Sequence, residues 1–223
     1  MPNFDIEKTA IIDALVKIPR DERNPAWIQQ FFAALPEASL ATTETQVFRG
    51  PDGMQYFDLH LPEQGKPFTA HCMAALAEHC TNNGLGLVVN PQNNPPDWVF
   101  SYGDLWHLRT HGGLSLRAVE GEIGRDGDQV MVAAPSDQLL PPWARMILKS
   151  FLEYLKVPSP GVLLIVSQKA RPAECLVFNV HAEDFPPDQF QHVQRLLAWF
   201  IPPHLNIAYV PRGSQFDGQF NPL

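Results

Sequence analysis

The chain has 223 residues, of which 45% are hydrophobic and 18% are charged, so it can bury a core and does not have the composition of a disordered protein. The formal net charge is -8, with 24 acidic against 16 basic residues, and neither half of the chain is basic. Because phosphate binding requires clustered Lys and Arg, this balance excludes nucleic acid as an expected partner.

The residues that report on cellular compartment favour the cytoplasm. Charged residues interrupt the N-terminal stretch where a signal peptide would be apolar, and no run reaches the roughly 18 apolar residues of a membrane span. The cysteines are odd in number and contain no Cys-x-x-Cys pair, namely Cys72, Cys80 and Cys175. We therefore expect a cytoplasmic protein with buried thiols, no membrane contact, no disulfide framework and no thiolate metal site.

The N-terminal segment, residues 1–36, is predicted to form two helices. Asn3 or Asp5 can cap the first, and six apolar residues are predicted to lie on one of its faces: Ile6, Ala10, Ile11, Ala14, Leu15 and Ile18. Asn24 and Pro25 have the character of an N-cap and a first helical residue, so the second helix is predicted to begin there.

Residues 37–112 are predicted to form a first α+β half. The Gly50-Pro51-Asp52-Gly53 tetrad predicts a turn between two hairpin strands. The predicted elements are strands at 45–49 and 54–61, a helix at 68–82, and strands at 85–90 and 98–102.

Residues 113–211 are predicted to form a second α+β half, followed by a loose tail at 212–223. Asp-Gly content at 124–128 predicts a hairpin turn, and two proline pairs, at 141–142 and 186–187, begin helices. The predicted strands are 114–119, 129–134, 162–168, 174–180 and 206–210, with a turn at 169–172.

The order of these elements predicts the fold class. From Gln129 onward it is strand, helix, strand, strand, helix, strand, which is the element order of ferredoxin-like folds. The first half contains a similar β-α-β-β core. This similarity has two explanations: a β-α-β-β unit was duplicated, or two unrelated segments have the same element order by chance. We predict an α+β protein with N-terminal helices and two β-α-β-β-containing halves that have antiparallel or mixed sheets. The two halves are either separate domains or parts of one continuous domain.

The most suggestive candidate site is the segment from Tyr102 to Gly112. If it forms a short helix with Asp104 as its N-cap, His107 and His111 lie four positions apart on one face. Two imidazoles so placed can bind one Zn²⁺ or Fe²⁺ ion when another residue supplies a further ligand. Because the spacing fixes no third ligand, the sequence favours the alternative of a solvated turn without metal or cofactor.

A second candidate is the pair formed by Asp58 and His60. They alternate with apolar residues on a predicted strand, so they share one face, which we expect to be the wetter one. An adjacent Asp and His can serve as orienting group and general base, and they can equally be ordinary exposed neighbours.

The third candidates are two tryptophans beside proline pairs, Trp98 and Trp143. Stiff apolar ridges of this kind can anchor a protein partner, and the alternative is that each ring fills the core.

The sequence contains no P-loop, dinucleotide-binding, nucleophile-elbow or His-Glu-x-x-His motif. We therefore expect a non-catalytic, adaptor-like or chaperone-like protein that binds another protein or forms a homodimer. The alternative is a small metal-dependent or hydrolytic enzyme centred on His107, His111 and the Asp58–His60 pair.

Overall fold

A computed structural model describes residues 4–63, 65–117, 130–167 and 174–223. The chain divides into two compact units, Met1–Leu116 and Arg117–Leu223, each with helices and a mixed sheet, so the predicted α+β class is confirmed. The N-terminal helical segment belongs to the first unit and does not form a domain of its own. The turns predicted at 124–128 and 169–172 lie outside the described residues.

The first unit begins with two helices, α1 (Ile6–Val16) and α2 (Pro25–Ala34). The Asp5 carboxylate caps α1 by accepting hydrogen bonds from two backbone N–H groups, and the Asn24 amide oxygen caps α2 by accepting one, from the Trp27 backbone N–H. The indole N–H of Trp27 in α2 donates to the Leu15 carbonyl of α1 at 2.8 Å, which ties the two helices together.

The buried face of α1 differs from the predicted one. The structure buries Thr9, Ile12 and Leu15, and it leaves Ile6 and Ile11 exposed. The prediction failed because α1 carries apolar residues around most of its circumference, so periodicity could not select the face that packs on the core.

Four strands and two further helices complete the first unit. They are β1 (Val47–Arg49), β2 (Gln55–Leu59), α3 (Met73–Asn82), β3 (Gly86–Val89), β4 (Trp98–Phe100) and α4 (Tyr102–His111). The strands lie in chain order, with β2 and β3 parallel and the outer pairs antiparallel. The predicted hairpin turn is present between β1 and β2, where Gly53 has a φ of 85° that favours glycine.

The core of the first unit lies between its helices and one face of this sheet. Its buried members come from α1 to α4 and from the inward positions of the strands, and they include Ile12, Phe31, Phe57, Leu87 and Leu105. Tyr56 and Asp58 alternate with Phe57 and Leu59 along β2, so they face away from this core.

The second unit combines five strands with two helices. They are β5 (Val130–Ala133), α5 (Pro142–Tyr154), β6 (Gly161–Ser167), β7 (Glu174–Phe178), α6 (Pro187–Phe200), β8 (Asn206–Ala208) and β9 (Asn221–Pro222). Both helices begin at the predicted proline pairs. The ring centroids of Phe151 and Phe200 lie 4.5 Å apart, so α5 and α6 are in contact near their C-terminal ends. Three short 3₁₀ turns complete the described elements of the chain: Arg20–Glu22, Leu35–Glu37 and Ala182–Asp184.

The strand order shows what the two units share. In the second unit the order is β5-β6-β7-β8, so the parallel pair β7–β8 is adjacent and no strand separates it as in a split β-α-β unit. The segments considered for duplication differ, because the strands joined by α3 are parallel and those joined by α5 are antiparallel. The common topology is instead a hairpin followed by a parallel crossover, β1-β2-α3-β3 and β6-β7-α6-β8.

The C-terminal tail, expected to be loose, packs against the sheet of the second unit. Phe216 and Phe220 cover an apolar face formed by β5 to β8, and β9 pairs with the start of β6. A Cβ atom added at Gly161 would lie 3.0 Å from the Cβ of Phe220, so the glycine permits this close approach. The Gly, Gln and Asn residues of the tail led to the prediction of a loose segment, but packing of Phe216 and Phe220 holds the tail on the sheet.

Two further sequence expectations concern membranes and thiols. None of the helices in the described part of the chain is long and apolar enough to cross a bilayer.

All three cysteines are buried and not disulfide-bonded, as expected. Burial raises the pKa of the Cys80 and Cys175 thiols to about 12, so these two are unreactive at neutral pH.

Candidate functional site

The helix predicted around the two histidines is present as α4, but its cap differs from the prediction. Ser101 is the N-cap, and Asp104 occupies the third helical position. The Ser101 hydroxyl accepts from the Asp104 backbone N–H, and the Asp104 carboxylate accepts from the Ser101 backbone N–H at 2.8 Å. This reciprocal capping box corrects the assignment of Asp104 as N-cap. Gly112 ends the helix with a φ of 75°, as predicted.

The structure brings His107 and His111 together on α4. Their rings are nearly parallel, with centroids 4.4 Å apart and an interplanar angle of 14°. Burial lowers the pKa of His107, and the adjacent His111 lowers it further. Among the described residues of the first unit, no third His, Cys, Asp or Glu joins the pair to form a compact group of three ligands.

Thr110 connects His111 to the backbone of α4. The Thr110 hydroxyl lies 2.9 Å from the Trp106 carbonyl oxygen, four residues earlier, and 2.8 Å from Nδ1 of His111. Sequence reasoning missed this contact, although a Thr next to a helical His is visible in the sequence.

Asp58 and His60 also form the expected pair, but their surroundings differ from the prediction. Asp58 is only 2% exposed, which corrects the expectation of a wet face. Its Oδ2 accepts from the Thr43 backbone N–H at 3.0 Å and lies 2.6 Å from Nε2 of His60, whose side chain is 19% exposed. The backbone of His60 is held by two hydrogen bonds to Ala41.

The predicted partner-binding tryptophans occupy different environments. Trp98 is half-buried, and its ring centroid lies within about 6 Å of four aromatic rings of the first unit: Trp27, Phe31, Phe32 and Phe100. Trp143 lies half-buried in the first turn of α5. The ring contacts of Trp98 are therefore internal, and a partner-binding role for either residue stays a prediction.

An apolar surface that the sequence did not predict lies on α1. Phe4, Ile6 and Ile11 are 48%, 67% and 45% exposed, and Ala10 and Ala14 are exposed between them. Ile6, Ala10, Ile11 and Ala14 lie on the solvent side of α1, and Phe4 precedes the helix. We call these five residues the α1 outer face. The signal was present in the sequence as a helix with apolar residues on two sides.

A groove of about 730 Å³ lies in the second unit, where α5 ends and β6 begins. Apolar side chains combine there with two lysines and one glutamate, and the lining residues are Lys149, Glu153, Lys156, Val157, Ser159, Pro160, Gly161, Phe220, Pro222 and Leu223. No histidine is among them, so the groove contains none of the predicted site residues.

Comparison with protein-family models, with curated proteins and with solved structures found no match to this chain.

Proposed function

We propose that the protein is a non-catalytic binding protein that associates with a second copy of itself through the α1 outer face. One observation carries this proposal: three large apolar side chains, Phe4, Ile6 and Ile11, are exposed on or next to the outer side of α1. A helix on the surface of a globular protein normally has a polar outer side, and a contiguous exposed apolar patch marks an interaction surface.

The distribution of charge on α1 favours a second copy as the occupant. Glu7 is exposed near the N-terminal end of the helix, and Lys17 is exposed just beyond its C-terminal end. Lys17 also pairs with Asp13 of the same helix at 2.6 Å, and solvent screening makes this exposed pair weak. In a twofold-symmetric, antiparallel pair of α1 helices, opposite ends of the helix meet. If the helices cross between Ala10 and Ile11, Glu7 of one copy is offset by about 5 Å along the helix axis from Lys17 of the other, an offset that the two long side chains can span.

The shape of the outer face fits the same arrangement. Ala10 and Ala14 are small and one turn apart, so they let two helices approach closely, while Ile6 and Ile11 flank them. Antiparallel helices also place opposite ends of their dipoles together. A single helix pair buries less than the roughly 1,200 Å² of a standard interface, so we expect a weak, concentration-dependent dimer.

Sedimentation equilibrium over a range of protein concentrations tests this proposal. We expect the wild type to dimerise at high concentration, and Ile11→Glu to remain monomeric because it would bury a charge in the interface. Met146→Glu is the matched control, since Met146 is an exposed apolar residue on α5, outside the proposed interface, and it should dimerise like the wild type.

A charge exchange distinguishes self-association from other uses of the surface. Glu7→Lys and Lys17→Glu should each weaken the dimer, and the double variant should restore it because the attraction is recreated with reversed signs. A wild type that stays monomeric at all concentrations, or an Ile11→Glu variant that dimerises normally, would overturn the proposal.

A further inference from the structure

We propose that His107 and His111 form a binding site for a divalent transition metal ion of the zinc, nickel or copper class, and that Thr110 is the positioning residue for His111. This site is independent of the dimer proposed above, because it uses a different helix.

The spacing and the ring geometry both support this site. Residues four apart lie one above the other on a helix face, and the two rings are already parallel at 4.4 Å between centroids. Two nitrogen ligands of a tetrahedral ion, each about 2.0–2.1 Å from it, are roughly 3.3 Å apart. One potential ligand nitrogen of each ring lies within 4.8 Å of the other. Because the lone pairs lie in the ring planes, side-chain rotations that turn both nitrogens toward one point and close this gap would let both imidazoles bind the same ion.

The hydrogen bonds of Thr110 determine which nitrogen of His111 can bind metal. The Trp106 carbonyl oxygen can only accept, so the Thr110 hydroxyl donates its single proton there, at 2.9 Å. The hydroxyl oxygen then acts as acceptor for His111 Nδ1, at 2.8 Å, which must carry the proton. This tautomer places the lone pair of the His111 ring on Nε2.

An arrangement of this kind is typical of metal-binding histidines. Their second ring nitrogen donates a hydrogen bond to a fixed acceptor, which orients the ring and raises its basicity. The type of ligand restricts the ion, because imidazole suits zinc, copper and nickel better than magnesium or calcium. Two histidines leave at least two of the four positions of a tetrahedral ion for water or other ligands.

Isothermal titration of the full chain with zinc chloride, and separately with nickel chloride, tests the site. We expect one high-affinity site per chain, and at least a tenfold loss of affinity in His107→Ala and in His111→Ala. His192→Ala is the matched control, because His192 is an exposed helical histidine on α6, and it should bind like the wild type.

Substitutions of Thr110 test the positioning role. Thr110→Val keeps the size of the side chain but removes the acceptor, and we expect a loss of affinity of about tenfold or more. Thr110→Ser retains the hydroxyl and should bind nearly as well as the wild type. Electron paramagnetic resonance of the Cu²⁺ form should show two imidazole nitrogens in the wild type and one in His111→Ala.

Three results would contradict the proposal. Absence of binding by the wild type, or unchanged binding in both histidine variants, would overturn the site. Unchanged affinity in Thr110→Val, with loss in the histidine variants, would overturn the positioning role of Thr110.

Discussion

Two buried carboxylates in the first unit, Asp97 and Asp58, have opposite hydrogen-bonding environments. Both side chains are about 3% exposed, and both residues lie at the sheet. Asp97 immediately precedes β4, and Asp58 lies within β2. The two carboxylates differ in the number of their oxygens that accept hydrogen bonds from the described residues.

Both oxygens of Asp97 accept hydrogen bonds. Its Oδ1 accepts from the Arg23 guanidinium at 2.9 Å, and its Oδ2 accepts from the side-chain amides of Asn90 and Asn93 at 2.9 and 2.8 Å. The Arg23 guanidinium in turn lies over the Trp27 ring at 4.7 Å. This network joins the connection between α1 and α2 to the proline-rich loop between β3 and β4.

Only one of the two carboxylate oxygens of Asp58 has hydrogen-bond partners within the described part of the chain. Its Oδ2 has two partners, the Thr43 backbone N–H and His60, whereas no described residue donates a hydrogen bond to its Oδ1. A buried polar atom without a partner costs stability and requires an explanation. We therefore expect the hydrogen bonds of Asp97 to contribute more to the stability of the first unit than those of Asp58.

The largest effect is expected for Asp97→Asn. An amide presents one NH₂ group, and both oxygens of Asp97 face donors, so one N–H group would point at another donor and Arg23 would lose its counter-charge. We expect the free energy of unfolding to fall by about 3 kcal/mol, as for other broken buried pairs. Hydrogen exchange of the β3 and β4 amides in the full chain measures this, and a loss below about 1 kcal/mol would contradict a structural role.

A smaller effect is expected when the arginines beside Asp97 are removed. The Arg23 side chain is 10% exposed and 2.9 Å from Asp97, whereas Arg20 is 44% exposed and 3.9 Å away. Arg23→Ala should cost about 2–3 kcal/mol, because it leaves a buried carboxylate without its cation.

The matched control is Arg20→Ala, which should cost less than about 1 kcal/mol because solvent screens its charge. Arg20 also donates to the Pro95 and Pro96 carbonyls, so this variant reports on the loop contact as well. Urea unfolding of both variants gives the comparison, and equal losses would show that burial does not separate the two arginines.

The smallest effect is expected for Asp58→Asn. The amide oxygen can replace Oδ2 and keep the Thr43 and His60 contacts, while the NH₂ group takes the position of Oδ1, where it meets no described donor. The cost should stay below about 1 kcal/mol, a modest value for a buried substitution. Hydrogen exchange of the β2 amides measures this cost. If the free energy of unfolding fell as much as in Asp97→Asn, the two carboxylates would not differ in their contribution to stability.

Several local features of the fold were predictable because they depend on short-range chemistry. The Asp5 and Asn24 caps, the glycine at the hairpin turn, the proline pairs before α5 and α6 and the Gly112 stop all act within one or two turns of chain. The α4 histidine pair was predictable for the same reason, since helical spacing alone brings the two rings together.

Other features depended on residues far apart in the chain. The direction of strand pairing was not predictable, because α3 and α5 both connect strands and only the sheet shows that one pair is parallel and the other antiparallel. The burial of Asp58 depends on its position within the sheet and on a hydrogen bond from Thr43, fifteen positions earlier. The Asp97 network was missed because its members come from two segments far apart in the chain, Arg23 before α2 and the loop that contains Asn90, Asn93 and Asp97.

The sequence by itself determined the α+β class, many of the helix ends and the spacing of the α4 histidines, because propensity, capping and periodicity act locally. Only the tertiary structure decided that α1 packs through Ile12 and leaves Ile11 exposed, and that Phe216 and Phe220 hold the tail against the sheet. The physical reason is that burial depends on the whole assembled core. Helix α1 has two apolar sides and the tail has two phenylalanines among polar residues, so in both cases contacts with distant parts of the chain decide which side chains are buried.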